Sequence, residues 1–282
     1  MGDPRHDALA GWYGRDGRDL PWRRTSDPWP ILVSEMMLQQ TPVSRVIPVY
    51  ETFVSSFPTP ADMAASEPAR VLMMWAGLGY LRRAMNLWRA SRIVAAEGWP
   101  VTTHGLESLP GVGPYTAAAV ASFAFGEPVP AVDTNLRRVL SRWEGLPLEG
   151  SALLEAAHDR LDRRDPARWN HTMMDLGALL CRPRSPDCGR CPVAEWCADP
   201  GVYTPPPRQT PYAGSHRQAR AAVLKLVAAD GPIPHPALAD RLGMDADRVE
   251  AAVANLLSER MLEAVEGAVQ IVQGAAPDPA RE

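Results

Sequence analysis

The segment Leu109-Pro-Gly-Val-Gly-Pro-Tyr-Thr116 runs directly into the apolar stretch 117–125, and this junction decides the fold. Gly111 and Gly113 permit positive φ and a close approach of the backbone, so successive N–H groups can point outward where the following helix begins. Gly111, Val112 and Gly113 therefore predict an anion site, for which a phosphodiester is the natural ligand. A Gly-x-Gly before a helix is more often a simple turn, but the surrounding Leu-Pro-Gly-Val-Gly is far more specific.

Apolar residues spaced three and four apart predict a mainly helical protein. Strand signals, meaning alternation of apolar and polar residues, are scarce. Proline is abundant, at 29 of 282 residues, so we expect short and often interrupted helices. The segments with helical spacing are 31–38, 43–53, 69–75, 116–124 and 172–180.

The prolines of the segment 201–215 predict a stiff linker between a main domain, residues 1–200, and a small C-terminal domain, residues 216–282. Three helices and a hairpin are expected in the small domain, at 219–228, 236–242, 245–259 and 261–272. That order is the plan of a winged helix-turn-helix. A small helical cap on the main domain is the alternative.

Charge and composition exclude several classes of protein. With 29 basic and 33 acidic residues the net charge is −4, so any DNA-binding surface has to be local. Lys225 is the only lysine, which excludes a lysine nucleophile from the first 200 residues. No apolar run is long enough to span a membrane, and the first residues lack the apolar core of a signal peptide. We expect a cytoplasmic protein with no membrane partner.

Four cysteines fall within 17 residues, separated by gaps of six, two and five. Their grouping favours a metal site in a reducing compartment over a disulfide scaffold. Structural zinc usually takes two closely spaced pairs of ligands, whereas these uneven gaps favour a [4Fe–4S] cluster. Zinc stays open as an alternative, and unrelated free thiols are less favoured. The proposed ligands are Cys181, Cys188, Cys191 and Cys197.

Two carboxylates stand in unusual surroundings. Glu35 lies in the mostly apolar helix 31–38, so it is either exposed or raised in pKa by burial. Asp133, at the end of an apolar approach to a helix, is by itself most simply an N-cap. Together, one protonated and one ionised acid are what cleavage of an N-glycosidic bond requires.

These segments resemble the helix-hairpin-helix base-excision glycosylases, and specifically the MutY-type adenine DNA glycosylases, over residues 8–200. The matching segments are Ser34–Thr41, Gly77–Tyr80, Leu109–Gly113, Val132–Asn135 and the cysteine run. Leu38-Gln-Gln-Thr41 and Leu20-Pro-Trp-Arg23 point to the adenine branch. The resemblance implies a two-lobed helix-hairpin-helix core with a [4Fe–4S] loop at 181–197. It also implies a monomer that acts at the nucleoid on double-stranded DNA containing a mismatched or damaged base pair.

The resemblance assigns roles at the reacting bond. Glu35 would protonate N7 of adenine, Asp133 would stabilise the cationic sugar, and Tyr115 and Asn135 would hold this assembly. Tyr115 stands where the endonuclease III branch has its Schiff-base lysine, so we expect a monofunctional hydrolase without strand cleavage.

The resemblance also places residues around the DNA. Gln40 and Tyr80 would wedge into the duplex as the base flips out. His171 stands where family members often have Gln or Glu, so it either tunes base recognition or is a satisfied polar residue. Trp22 is as well explained by core packing as by base contact. The base pocket is expected to contain Arg18, Leu20, Trp22, Arg23, His171 and Met174.

One departure from the family pattern and one residue shared with another branch keep other functions open. Only about 80 residues follow the main domain, with no counterpart of the MutT-like β domain that usually checks for 8-oxoguanine. A thymine or uracil mismatch glycosylase is the closest alternative, since Tyr115 also suits that branch. A non-catalytic iron–sulfur redox regulator bound to DNA is the third reading, but it gives no reason for both Glu35 and Asp133.

Overall fold

The computed structural model describes residues 3–75, 77–203 and 211–272, and helices dominate in this part of the chain, as predicted. The helices are α1 (Pro4–Asp16), α2 (Pro28–Leu38), α3 (Val43–Ser56), α4 (Pro60–Ala64), α5 (Pro68–Met74), α6 (Arg82–Glu97), α7 (Thr103–Glu107), α8 (Pro114–Phe125), α9 (Thr134–Glu144), α10 (Gly150–Arg160), α11 (Pro166–Asp175), α12 (His216–Asp230), α13 (Leu238–Leu242) and α14 (Ala246–Ser258). The strands are β1 (Ile233–Pro234), β2 (Leu262–Val265) and β3 (Ala268–Ile271). None of these helices is long and apolar enough to cross a membrane.

The prolines begin helices more often than they interrupt them. Pro4, Pro60, Pro68, Pro114 and Pro166 each lie in the first turn of a helix. A residue in the first turn has no partner for its N–H within the helix, so proline loses nothing by lacking that group. The fixed φ of proline also suits a helix. The helices include short ones, as expected, and Pro48 does lie inside α3, but these five prolines begin helices rather than interrupt them.

The chain divides into two compact units that do not follow the chain order. The first unit comprises residues 1–35, 100–108 and 112–207, and the second comprises 36–99, 109–111 and 208–282. The C-terminal helices thus group with α3 to α6. The predicted domain division at 200 and 216 stays a prediction, and residues 204–210 of the expected linker lie outside the described residues.

The core of the first unit is built around one face of α9. Leu136, Val139, Leu140 and Trp143 recur three and four positions apart and are all buried. This spacing places them on the same side of the helix. They pack with buried side chains of α1, α10 and α11, and each fully buried side chain stabilises the fold by about 1.5–3 kcal/mol.

The predicted helix at 172–180 is not continuous. Helix α11 ends at Asp175, and Leu176–Leu180 form a π-helical turn that closes with the Cys181 N–H donating to the Leu176 carbonyl at 2.7 Å. The turn lies so close to α9 that a Cβ on Gly177 would come within 2.5 Å of the Asn135 Cβ. Tertiary packing at Gly177, invisible to apolar spacing, explains the difference.

In the second unit, residues 211–272 form the three helices and hairpin that the sequence predicts. A three-stranded antiparallel sheet has the order β1-β3-β2, with Leu262 opposite Ile271 and Ile233 opposite Val269. The two-residue strand β1 is too short to show alternation, so it was not predicted. Helix α12 packs on α14 and also on α5, which attaches this segment to the preceding helices of the same unit.

Candidate active site

Glu35 is the buried acid at the centre of the site. It lies on α2 among buried apolar neighbours and is only 3% exposed. Burial raises its pKa to about 7, and the nearby charge of Asp133 adds to this, whereas a hydrogen bond from Tyr115 and the charge of Arg23 oppose it. Its Oε2 has no hydrogen-bond partner among the described residues. A carboxyl in these surroundings carries its proton close to neutral pH.

Tyr115 places its hydroxyl on this acid. It lies in the first turn of α8, directly after Pro114, so the start of that helix fixes its position. Burial, together with the charges of Glu35 and Asp133, raises the pKa of Tyr115 well above its usual value. The phenol therefore stays protonated and acts as a hydrogen-bond donor to Glu35.

Asp133 is the N-cap of α9. Its Oδ1 accepts from the Leu136 N–H at 2.6 Å, and its Oδ2 accepts from the Asn135 side-chain amide at 2.7 Å. Burial raises the pKa of Asp133, while these hydrogen bonds and the charge of Arg138 favour the ionised form. Because its charge also acts on Glu35, the structure brings together the four residues assigned to the reacting bond: Glu35, Tyr115, Asp133 and Asn135.

Arg18 and Arg23 are held by an acid that the sequence analysis did not single out. Asp175 is fully buried and accepts from Arg18 Nε at 2.7 Å and from Arg23 Nη1 and Nη2 at 2.7 and 2.8 Å. Burial would raise the pKa of Asp175, but the hydrogen bonds and charges of Arg23 and Arg18 hold it below its usual value. The signal for Asp175 in the sequence was an acidic residue within the apolar run at the end of α11.

The remaining pocket candidates differ in their surroundings. His171 stacks on Phe123 with ring centroids 4.0 Å apart, and burial, aided by Arg23, lowers its pKa to about 3. The imidazole is therefore neutral over the working pH range. Met174 packs near Tyr115 against small side chains of α8, whereas Leu20 and Trp22 are buried in and beside the short turn Pro21–Arg23.

The two glycines of the hairpin have different roles. Gly111 has φ of +77°, and a Cβ there would lie 2.8 Å from the Asn86 Cβ, so this position requires glycine. Gly113 is extended, with φ of −92°, and is the N-cap of α8. Of the two glycines that permit positive φ, only Gly111 adopts it, because α8 begins at Gly113 from extended backbone. Its lack of a side chain leaves the first N–H groups of α8 open to a ligand.

In the second unit, Gln40 and Tyr80 both have left-handed backbones, with φ of +56° and +49°. A buried arginine, Arg83, supports both segments. Its Nη1 donates to the carbonyls of Met36 and Met37 at 2.9 Å each and also to that of Gln39. Its Nη2 donates to the Gly79 carbonyl at 3.2 Å. Arg83 was not predicted from the sequence, where its only signal is a cation three positions after Tyr80.

The cysteine loop is anchored by two arginines of α9. Arg142 Nη1 donates to Cys181 Sγ at 3.1 Å, and Arg138 Nε donates to the Cys181 carbonyl at 2.6 Å. Burial raises the pKa of Cys191 to about 11, and the other three thiols of the loop contribute to this increase.

The donor set of the loop consists of four cysteine thiols, one of which accepts a hydrogen bond from Arg142. Four thiolates from one short segment are a ligand set that a [4Fe–4S] cluster takes. Zinc also accepts four thiolates, so the chemistry of the donors alone leaves both groups open.

Comparisons with known proteins bear on the whole chain. Residues 33–158 match the model of the HhH-GPD superfamily base excision DNA repair proteins, and residues 181–197 match the iron-sulfur binding domain of endonuclease III. A curated protein from Mycobacterium tuberculosis (strain CDC 1551 / Oshkosh), named adenine DNA glycosylase, is 39% identical over 92% of this chain and 91% of its own length. The chain belongs to the adenine DNA glycosylase family.

Other adenine DNA glycosylases support this membership. The Mycolicibacterium smegmatis protein is 41% identical over 78% of each chain, and the human protein is 38% identical over 67% of this chain and 38% of its own length. Among solved structures, a thermostable thymine-DNA glycosylase covers 68% of this chain and 93% of its own, with a TM-score of 0.64 and 30% identity. An endonuclease III–DNA intermediate, at 24% identity and a TM-score of 0.61, shows the same fold.

Membership of the adenine DNA glycosylase family confirms the predicted helix-hairpin-helix glycosylase fold and DNA as the partner. It also confirms the cofactor: the loop 181–197 is a [4Fe–4S] binding segment. Cys181, Cys188, Cys191 and Cys197 are the four thiols of that segment. The zinc alternative is therefore set aside.

Proposed function

We propose that this protein is a monofunctional DNA glycosylase that hydrolyses the N-glycosidic bond of adenine paired with 8-oxoguanine or guanine. The observation that carries the proposal is Glu35, a buried acid with a pKa of about 7 that accepts a hydrogen bond from Tyr115 and feels the charge of Asp133. An acid with this pKa is both protonated and able to donate near neutral pH.

In the proposed reaction, Glu35 donates its proton to N7 of the extruded adenine. The bond between N9 and C1′ then breaks, and its electron pair leaves with the base. The Asp133 carboxylate faces the resulting sugar cation and stabilises it electrostatically. Water adds to C1′ and returns a proton to Glu35, which leaves free adenine and an abasic site.

The absence of strand cleavage follows from the side chains around the sugar. A β-lyase forms a Schiff base with an amine, and the only lysine of the chain, Lys225, lies on α12 in the second unit. Tyr115 cannot replace it, since its raised pKa keeps the phenol protonated.

The surrounding residues have proposed positioning roles. Asn135 orients Asp133 through its 2.7 Å hydrogen bond. The Arg18–Arg23–Asp175 network and neutral His171 support the base pocket with Leu20, Trp22 and Met174. The N–H groups at Gly111, Val112 and Gly113 contact a phosphate, and Gln40 and Tyr80 enter the duplex. Cys181, Cys188, Cys191 and Cys197 would hold the [4Fe–4S] cluster, which would supply a cross-link for the loop 181–197.

The proposed location is the cytoplasm, where the protein acts at the nucleoid as a monomer. The four thiols are free of disulfides, which fits the reducing cytoplasm, where the nucleoid supplies the DNA substrate. The residues proposed for the reacting bond all come from one chain and one compact unit, which supports action as a monomer.

A panel of duplexes containing A:8-oxoG, A:G, T:G and U:G tests the assignment under single-turnover conditions, with alkali treatment to reveal abasic sites. Base release should occur on the two adenine duplexes, and strand cleavage should appear only after alkali. Release of thymine or uracil with adenine untouched would assign the chain to the mismatch branch instead.

The variant Glu35→Gln tests the acid. It should abolish adenine release, because a carboxamide has no proton to give at this pH, while binding to the A:8-oxoG duplex changes little. Glu51→Gln makes the same chemical change at an exposed position on α3 and should keep full activity. Equal loss of binding and release in Glu35→Gln would show that Glu35 is structural.

A further inference from the structure

The outer face of the C-terminal segment is unsuited to DNA. A helix-turn-helix reads DNA by placing its second helix in the major groove, which here would be α14. Asp247 and Glu250 are exposed on α14, and Glu266 is exposed at the hairpin turn. Arg248 turns inward, with Nη2 donating to the Ser215 carbonyl at 3.4 Å. The exposed carboxylates of α14 and the hairpin turn disfavour contact with phosphates on this face.

The start of α12 faces a different part of the molecule. Ser215 is the N-cap of α12, and two residues later Arg217 Nη1 donates to the Tyr80 hydroxyl oxygen at 3.4 Å. Tyr80 is 137 residues away in the chain but belongs to the same compact unit. The C-terminal segment therefore reaches a residue that the proposed function places in the DNA duplex.

Tyr80 needs external support to hold its position. Its φ of +49° is a left-handed backbone conformation that is strained for a bulky residue, and the residue is 38% exposed. Arg83 lies over one part of the side chain, with its guanidinium carbon 5.2 Å from the ring centroid. Arg217 holds the other end, the hydroxyl.

The position of Arg217 is set by how its segment is attached. Helix α12 packs against α5, and Arg89 on α6 donates from Nη2 to the Arg260 carbonyl at 2.9 Å. The Arg82 charge contributes to lowering the pKa of Glu259, after the hydrogen bond from Arg220. These contacts lie on α5 and α6, the two helices that flank Tyr80 in the chain, so they fix the C-terminal segment relative to it.

We propose that Arg217 is a positioning residue for Tyr80, and that the C-terminal segment acts in mismatch capture through this arginine rather than through α14 and the hairpin. The inference rests on the proposed role of Tyr80 as a duplex wedge. With the hydroxyl held by Arg217 and the ring by Arg83, the aromatic side chain stays extended before DNA arrives. Less ordering of the ring then remains to oppose insertion.

A double-mutant cycle in the full-length protein tests this. The variants are Arg217→Gln, Tyr80→Phe, which removes only the accepting hydroxyl, and the double variant. Lys225→Ala removes an exposed charge from the same helix and is the matched control. Two quantities are measured: affinity for an A:8-oxoG duplex and the fluorescence rise of 2-aminopurine beside the mismatch, which reports unstacking.

Each single variant should weaken affinity and slow the fluorescence rise by about threefold to tenfold, as expected for loss of one long, exposed hydrogen bond. The double variant should be no worse than either single variant, because both remove the same contact. Lys225→Ala should match the unmodified protein.

Additive effects would show that Arg217 contacts DNA independently of Tyr80, and an Arg217→Gln protein equal to Lys225→Ala would show that the contact has no role. Either result overturns the inference while adenine release by the unmodified protein persists. Failure of the proposed function would instead appear as no adenine release by the unmodified protein. Should Arg217→Gln fail to fold, Tyr80→Phe still gives a decisive result, because normal affinity and unstacking would refute a role for the hydroxyl.

Discussion

Two carboxyl groups near each other differ because their partners differ. Glu35 is surrounded by apolar side chains and has one unpaired oxygen, so its neutral form is favoured. Asp133 accepts two hydrogen bonds at the start of a helix, where the helix dipole also favours negative charge. Such separation of environments assigns one acid to proton donation and the other to charge stabilisation.

The charge of Asp133 can be tested apart from its capping role. Asparagine caps helices about as well as aspartate, so Asp133→Asn should leave α9 and the melting temperature nearly unchanged. Loss of the anion should lower the single-turnover rate by about a hundredfold to a thousandfold. Asp165→Asn, at the N-cap of α11, is the control and should keep normal rates. A near-normal rate in Asp133→Asn would show that Asp133 only caps α9 and does not stabilise the sugar cation.

The pH dependence of base release follows from Glu35. Since its pKa is raised to about 7, the proton needed for catalysis is present below that pH and is lost above it. At subsaturating enzyme, the rate should decline as pH rises through about 7. The pKa of His171 is about 3, so this histidine does not titrate in that range. His171→Gln should therefore shift no midpoint, and a flat profile from pH 6 to 9 would contradict the assignment.

The same ionisation affects folding. The folded-state pKa of Glu35 lies above its ordinary value of 4.5, so its contribution to stability is complete below pH 4.5 and is lost as pH rises through about 7. Ionisation then costs on the order of 3 kcal/mol. Glu35→Gln should raise the melting temperature at pH 8 more than at pH 5, as measured by thermal unfolding. An equal shift at both values would mean that water relieves the burial.

The site was predictable where a residue type contradicted its surroundings. An acid in an apolar helix marked Glu35, and the resemblance supplied its partners. Asp175, Arg83, Arg138 and Arg142 were missed because their function is to bind backbone and buried groups far away in the chain. Such contacts leave no local pattern in a single sequence.

At the scale of elements, α9 connects three features of the site. Asp133 caps its start, Leu136 to Trp143 fill the core, and Arg138 and Arg142 bind the cysteine loop. Apolar spacing predicted most of α2, α3, α5 and α8 and the end of α11, but not α1, α6 or α10. It also did not predict the π-helical turn, since Gly177 and Asn135 meet only in the folded protein. The pattern of apolar and turn residues predicted the three helices and the hairpin of the C-terminal segment. The packing of α12 against α5 was not visible in the sequence.

The hydrogen bonds from Arg142 to the cysteine loop predict that this arginine helps to retain the cluster. Arg142→Ala removes donors to Cys181 Sγ and to the carbonyls of Arg182 and Pro183. The variant should retain less cluster, measured as absorbance at roughly 400 nm per protein, and lose about 1–3 kcal/mol of stability. Arg137→Ala, one residue from Arg138 and half-buried, is the control. Unchanged cluster content in Arg142→Ala would show that the cysteines hold the cluster without help from Arg142.

At the scale of the whole molecule, a net charge of −4 has to coexist with a polyanionic partner. Binding therefore depends on local arginines and backbone N–H groups rather than on overall attraction. Affinity of Glu35→Gln for the A:8-oxoG duplex should fall at least about a hundredfold between roughly 50 and 200 mM salt, as counterions are released. Titrations by fluorescence anisotropy measure the slope, and a weak dependence would indicate that few phosphates are contacted.

The exposed side chain of Lys225 on α12 has a practical consequence. Because every other cationic side chain of this kind is arginine, an amine-directed dye will attach to the folded chain at one side-chain position, besides the α-amino group. A fluorophore placed there would sit on the C-terminal segment and leave the catalytic carboxylates untouched. Energy transfer to labelled DNA would then measure the distance between that segment and a lesion as the complex forms.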